Sequence, residues 1–427
     1  MNICFMSNSM SIEGGPQRRF GYSVVATKVA NYLQEIGHQI FYIGMQDIGS
    51  PFKQPNGIVH LGVRYDPFMS DIAPDYLRAY KADCFFTMLD IWLPQTDYMA
   101  GTCERLKIPW IPHVTLNADP LTPFIGNKLH QASWVVAPSK YNHRLLNEGG
   151  HGAKTQYIPH GVDTDVFTPN NEFDDEIKKT LGIEDKTFIG LVVNRNKGMQ
   201  KRLQDAMRAW SIACINDPQF QKDSVLLMVH DPVETEGFRT DMFRDRIQMN
   251  DNIKFIWQRP NEDGVDMKIA REGDMEAICH NANISLPPEE IAKLFNLADV
   301  SVVPSQSESF CLPGLESLAC GTPVIMGQHS VAQEHILDPE TGIAVQPAYG
   351  EVTPLMSEVQ NMNVADLAAA ITHMYQNPQD RNKWSKNGIK YAQTLKWDVV
   401  LPMWKRFFEI VESTRMTTNY QHGRMGL

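Results

Sequence analysis

None of the seven cysteines stands in a C-x-x-C pair; Cys4, Cys84, Cys103, Cys214, Cys279, Cys311 and Cys320 are scattered over 427 residues. That spacing indicates neither a zinc knuckle nor a disulfide framework, and no metal site is expected. Cys4, Cys84 and Cys320 read most simply as small core residues. No apolar run reaches membrane-spanning length, and the opening Met1-Asn-Ile-Cys-Phe-Met lacks a basic flank and is too short for a signal peptide. The opening is expected to form a first buried strand, in a cytoplasmic protein without a transmembrane segment. Positive charge is also short, with 39 Lys and Arg against 50 Asp and Glu and a formal net charge of −11. This argues against general nucleic-acid binding while allowing a local basic groove for a phosphorylated ligand.

What is present fits a globular chain, 43% hydrophobic and 21% charged. Its length exceeds one ordinary core and predicts two domains of roughly 200 residues each. Strand-like segments at 3–6, 39–43, 84–88, 110–112, 134–137 and 156–158 alternate with helix-like ones such as 24–36, which ends at Gly37. The pattern restarts with strands at 187–194, 224–230, 253–256, 300–303 and 324–326 and helices at 202–214 and 288–297. Alternation of this kind predicts parallel sheets covered by helices. The acidic, weakly apolar stretch 168–184 reads as a linker, and 347–363 as an irregular loop.

The most informative stretch is Glu308-Ser-Phe-Cys-Leu-Pro-Gly-Leu-Glu316, followed by Ser-Leu-Ala-Cys-Gly321-Thr-Pro323-Val-Ile. It follows the short buried strand that stops at Pro304, at the carboxyl end where open α/β sheets bind ligands. A loop of small residues running into a helix offers free backbone N–H groups to an anion, and two flanking acids can hold sugar or ribose hydroxyls. The shape points to a nucleotide-sugar site, with Glu316 expected in the first helical turn and Gly321 as the cap. The bland alternative, a helix-stabilising Glu316 and a solvated Glu308, weighs about evenly on local physics.

Three further clusters sit where strands should end. Gly14, Gly15 and Gly21 lie in Ser11-Ile-Glu-Gly-Gly-Pro-Gln-Arg-Arg-Phe-Gly-Tyr-Ser, between the first strand and first helix, where glycine lets backbone approach a phosphate or sugar. The segment is neither the dinucleotide G-x-G-x-x-G fingerprint nor a Walker A loop, and a plain turn competes with the ligand loop. Asn194-Arg195-Asn-Lys197-Gly-Met-Gln-Lys201-Arg202 follows the strand at 187–194, and Arg195 and Lys201 are the chosen cations for a departing diphosphate, with Lys197 and Arg202 as their alternates and a basic solvated turn as the competing reading. His113 and Asp119, just past the strand at 110–112, could contact a donor sugar and an acceptor, and Asp90 with Trp92 has the same strand-end character. Each alone is more often structural. In Tyr157-Ile-Pro-His160-Gly161-Val-Asp163, Gly161 is expected to take positive φ in a hinge turn rather than His160 and the acids binding metal.

Taken together these motifs resemble the retaining glycosyltransferase family 4. Glu308 through Glu316 resembles its E-x7-E motif, 14–21 its glycine-rich loop, and Ile158-Pro-His-Gly-Val-Asp-Thr-Asp-Val-Phe-Thr-Pro169 its interdomain segment. The resemblance runs from the first strand to about Pro347. It implies an α/β GT-B fold, two Rossmann-like domains facing across a cleft: 1–172 on the acceptor side, 173–399 binding the nucleotide sugar, and a C-terminal helix at 400–420 packing back on the first domain.

By the same resemblance, Glu308 lies near donor-sugar hydroxyls and Glu316 near ribose, while Phe310, Cys311 and Leu312 supply backbone to phosphates and sugar. Arg195 and Lys201 hold the diphosphate, His113 contacts the donor sugar, and Asp231 and Glu334 border the nucleotide pocket. The implied reaction moves a hexose-like group from a nucleoside diphosphate, UDP by default with GDP or ADP open, to an unidentified hydroxyl acceptor. No cofactor or metal is required, and no nucleic-acid partner is implied. Peripheral membrane contact and oligomeric state stay open. A phosphorylase-like enzyme and a catalytically idle nucleotide-sugar binder or scaffold of the same fold remain as alternatives.

Overall fold

The computed structural model describes residues 1–11, 21–63, 65–66, 71–185, 187–234, 236–256, 259–261, 264–266 and 286–424. Gly14 and Gly15 lie outside the described residues. The chain divides into two compact units, Met1–Gly161 with Trp397–Leu427, and Val162–Lys396.

In the first unit the described strands are β1 (Asn2–Asn8), β2 (Gln39–Ile48), β3 (Phe52–Lys53), β4 (Val59–Val63), β5 (Cys84–Met88), β6 (Trp110–His113), β7 (Val135–Ala137) and β8 (Thr155–Tyr157). They form one sheet in the order β3-β4-β2-β1-β5-β6-β7-β8, parallel except for the β3–β4 pair. Near-continuous apolar runs such as Cys84–Met88, interrupted only by Thr87 and buried at every position, are what a strand covered on both faces requires. Helices α1 (Gly21–Glu35), α2 (Ala73–Ala79), α3 (Pro94–Leu106), α4 (Pro123–Leu129) and α5 (Lys140–Glu148) make the crossovers.

The second unit contains α6 (Asp174–Leu181), β9 (Phe188–Val193), α7 (Leu203–Asn216), α8 (Pro218–Asp223), β10 (Ser224–Val229), α9 (Thr240–Arg246), β11 (Ile253–Ile256), β12 (Arg259–Asn261), β13 (Gly264–Asp266), α10 (Pro288–Leu297) and β14 (Val300–Val303). It continues through α11 (Leu312–Ala319), β15 (Val324–Gly327), β16 (Gly342–Val345), β17 (Pro347–Val352), β18 (Glu358–Met362), α12 (Val364–Gln376) and α13 (Pro378–Gln393). Its main sheet is parallel, in the order β11-β10-β9-β14-β15-β16. The stretch read as a linker forms α6, whose Ile177 and Leu181 pack with Val162, Phe167 and Phe295 of the same unit. The stretch read as an irregular loop is the antiparallel hairpin β17–β18.

The last helix, α14 (Trp397–Arg424), belongs to the first unit. Val400, Trp404, Phe407, Phe408 and Val411 recur at helical spacing and are all buried. Trp404 meets Phe86 edge-on at 5.5 Å, and Arg415 pairs with Asp83 at 2.6 Å. Gly161 is not among the positive-φ residues, which corrects the expectation for that turn. Its hydrogen side chain is needed for another reason: a Cβ there would meet the Trp397 ring at 2.5 Å.

Candidate functional site

In the second unit the chain runs from β9 outward to β10 and β11, then returns across the sheet to β14 on the other side of β9. That reversal between β9 and β14 is the topological switch point, where two loops diverge from the carboxyl edge and open a crevice. The loops leaving β10, β9 and β14 are therefore neighbours, although they lie at 230–238, 194–202 and 304–311 in sequence. Sheet order, not sequence proximity, brings the candidate charges together.

Lys201 Nζ donates to Glu308 Oε1 at 2.7 Å, joining the β9 loop to the β14 loop. Both side chains are mostly buried, at 21% and 13% exposure, so the pair works in a partly desolvated setting where charge interactions are stronger than in bulk water. The backbone N–H of Glu308 donates to Ser330 Oγ at 3.1 Å, and His335 Nε2 contacts the Phe310 carbonyl oxygen. Phe310 also sits edge-on to the His335 ring at 5.1 Å. These contacts hold the loop from both ends before Cys311, in a left-handed conformation at φ 68, turns it into α11.

Helix α11 starts at Leu312 and carries no acid in its first turn. Glu316 therefore stands one turn further along than expected. The early start is explained by Pro313, whose fixed φ and missing N–H suit the first turn. Gly321, at φ +84, follows the helix end as expected. Cys311 is buried, and burial followed by Glu308 pushes its thiol well up, out of the range of a nucleophile. Glu334 is buried in a short π-helical turn, Gln333–Leu337.

Arg195 is placed differently from Lys201. Its Nε and Nη2 both donate to Glu234 Oε1, at 3.0 and 2.6 Å, and Nη2 reaches Glu236 Oε2 at 3.2 Å. Glu234 is 5% exposed and Glu236 60%. Asn196 laces the same two loops, donating to the carbonyls of Asp231 and Phe238 at 3.0 and 2.7 Å. Asp231 accepts from the Val233 N–H at 2.9 Å, and its carboxyl is raised, chiefly by burial. Of the alternates, Lys197 is exposed and Arg202 pairs with Asp205 at 2.7 Å.

In the first unit, the switch lies between β1 and β5. His113, at the end of β6, is fully buried, and its Nε2 lies 3.1 Å from Nε2 of His160 in a stacked arrangement. One ring must donate and the other accept, so the two imidazoles hold opposite tautomers. Burial pushes His113 down to about 3, leaving it neutral at physiological pH. Its Nδ1 is buried with no hydrogen-bond partner among the described residues. Asp90 accepts from Tyr22 Oη at 2.9 Å, and Tyr22 also contacts Thr115 Oγ1. Asp119 is held by Arg144 at 2.7 Å, Trp92 is exposed, and Gly21 opens α1. No cluster of three metal-ligating side chains occurs among the described residues.

Sequence reading missed Glu234, Ser330, His335 and the His160 partnership. Only the strand-end position of 230–238 hinted at Glu234, because its contact with Arg195 depends on β9 and β10 being neighbours.

Residues 283–391, which span the β14 loop and α11, match the family model described as glycosyl transferases group 1. Over these residues the chain is similar to the group 1 glycosyl transferases. It is 42% identical over 250 residues to a D-inositol 3-phosphate glycosyltransferase of Acidothermus cellulolyticus, covering 58% of this chain and 46% of that one. With the protein of the same name from Thermomonospora curvata it shares 25% over 294 residues, covering 67% of this chain and 58% of the relative. The chain thus spans about half the length of these curated relatives. Among solved structures, sucrose-phosphate synthase from Thermosynechococcus elongatus superposes with a TM-score of 0.71 at 17% identity, covering 97% of this chain and 100% of that one. Anabaena HepE in complex with UDP-glucose gives 0.68 at 14% identity, covering 96% and 99%. These structural likenesses establish the GT-B fold for the chain.

Proposed function

We propose that the protein transfers a glycosyl group from a nucleoside diphosphate sugar to an acceptor hydroxyl with retention of anomeric configuration. The observation that carries this reading is the 2.7 Å Lys201–Glu308 pair at the switch point of the second unit, in which Glu308 opens the E-x7-E stretch. In this reading Lys201, Arg195 and the first-turn N–H groups of α11 stabilise negative charge as it collects on the leaving diphosphate. Glu308 accepts hydrogen bonds from donor-sugar hydroxyls and Glu316 from ribose. In this reading Glu308 acts as a hydrogen-bond acceptor rather than a nucleophile, and the leaving phosphate takes the acceptor proton on the same face. His113 is assigned to the donor sugar in this reading, its neutral imidazole able to share a hydrogen bond with a hydroxyl without bringing charge.

UDP is the favoured nucleotide, in keeping with the UDP and UDP-glucose complexes of HepE. The 1–172 region serves the acceptor and 173–399 the donor. A second reading, a nucleotide-sugar binder without turnover, is favoured by one observation: Glu234 and Glu236 already neutralise Arg195. Incubation with UDP-, GDP- and ADP-sugars and pooled hydroxyl acceptors, inositol phosphates included, separates the two. Acceptor-dependent nucleotide release, an axial product anomer by proton NMR and loss of both in Glu308→Gln are expected. Donor binding without release across the pool selects the binder, and an inverted product removes the retaining assignment.

A further inference from the structure

The β17–β18 hairpin lies between β16 and α12, and its first strand is exposed from Ala348 to Val352. Its turn is closed by Thr353 N–H to the Ser357 carbonyl at 2.7 Å, with Met356 at the tip 75% exposed. The hairpin also holds a polar contact in which Gln306 and Asn361 are buried and Glu351 is exposed. Gln306, in the β14 loop two residues before Glu308, donates from Nε2 to Asn361 Oδ1 at 2.9 Å and to Glu351 Oε2 at 3.1 Å. Asn361 Nδ2 donates to the same Glu351 oxygen at 3.4 Å. The orientation of the Gln306 amide is fixed by charge, since a flipped amide would turn its oxygen toward the Glu351 carboxylate.

The backbone of Gln306 is committed as well. Its N–H donates to the Gln200 carbonyl at 2.9 Å, and its carbonyl accepts from the Gln360 N–H at 3.3 Å. Gln200 Nε2 returns a longer bond to the Ser307 carbonyl at 3.4 Å. Gln306 thus ties three segments: its side chain and carbonyl hold the hairpin, and its backbone N–H joins the β14 loop, two residues from Glu308, to the β9 loop, one residue from Lys201. Buried polar groups joined in this way hold a loop in one geometry, because releasing any member leaves another unpaired in a low-dielectric setting.

We propose that the hairpin is a strap for the donor loop, and that Gln306, gripped by Asn361 and Glu351, is a positioning residue that sets the Lys201–Glu308 pair. The assignment rests on the donor reading of that loop, and the test separates the two. Gln306→Ala, the near-isosteric Gln306→Glu, Glu351→Gln and the tip variant Met356→Ser are compared with the full chain. Two readouts apply: amide hydrogen exchange at 305–309, and the UDP-glucose KM against kcat.

Gln306→Glu places two carboxylates together, so exchange at 305–309 should speed up and donor KM rise by about tenfold or more, with kcat changing less. Gln306→Ala should follow in the same direction. Glu351→Gln keeps an acceptor oxygen and should stay within about twofold of wild type, as should Met356→Ser. Unchanged exchange at 305–309 in folded Gln306→Glu overturns the strap, and faster exchange with unchanged donor KM overturns the positioning role. Faster exchange in a protein whose wild type neither binds nor turns over a nucleotide sugar supports the strap and sinks the donor reading instead.

Discussion

The two units place comparable strand-end residues in opposite electrical settings. In the first, His113 is stacked on His160, fully buried, and neutral because no charged partner offsets desolvation. In the second, Lys201, Glu308, Arg195, Glu234 and Glu236 remain ion-paired along three adjacent loops. The lesson is that the same sheet edge can offer a hydrogen bond without charge or a field with it, depending on what the neighbouring loops carry. Under the proposed function, the second environment is the one assigned to the diphosphate.

The sharpest way to break this comparison is to weaken the first unit alone. Trp404→Ala removes a ring packed on Phe86 and Phe408 and should cost about 3–5 kcal/mol in urea unfolding. Next comes Lys201→Met, which should lower kcat/KM for transfer by roughly 10²–10³, as loss of one preorganised charge donor does. Arg195→Met should lose less, because two carboxylates already share that guanidinium. A larger loss at Arg195 would reverse the ranking of the two cations.

Gly161→Ala should destabilise by about 1–3 kcal/mol through overpacking against Trp397, read from the thermal midpoint. Acid should act on both units. Burial holds His113 and His230 down to about 3 and His329 and His335 down to about 4. Their contribution is intact above the unfolded value near 6.5 and is lost as pH falls from there toward about 4, where the unfolded chain takes up protons the folded one refuses. Each such histidine adds a slope of about 1.4 kcal/mol per pH unit, so His230→Gln should flatten the unfolding profile between pH 6 and 4. The smallest effect is expected for Glu236→Gln: releasing an exposed partner from Arg195 should tighten UDP binding by no more than about fivefold, measured calorimetrically.

Much of the scaffold was legible because it rests on local pattern. The runs at 84–88, 253–256, 288–297 and 300–303 are continuous or helically spaced apolar stretches, and the structure gives them the same limits. The hairpin escaped because β17 is exposed along nearly its whole length and lacks a core-facing alternation, and α6 because its acidic face hides two packing residues, Ile177 and Leu181. In the candidate site, residue types at strand ends were readable, but their pairing was not. Nothing in the sequence between Lys201 and Glu308, or between Arg195 and Glu234, fixes which loops become neighbours; the strand order β10-β9-β14 does. Gly161 shows the same limit, since its need for a missing Cβ comes from Trp397, far along the chain.

The most direct test of the donor site is hydrogen exchange of the wild-type full chain with and without UDP. The account predicts slowed exchange concentrated at 194–202 and 305–312, with the first unit's strand interiors unchanged. UDP binding that leaves both segments unprotected would contradict it.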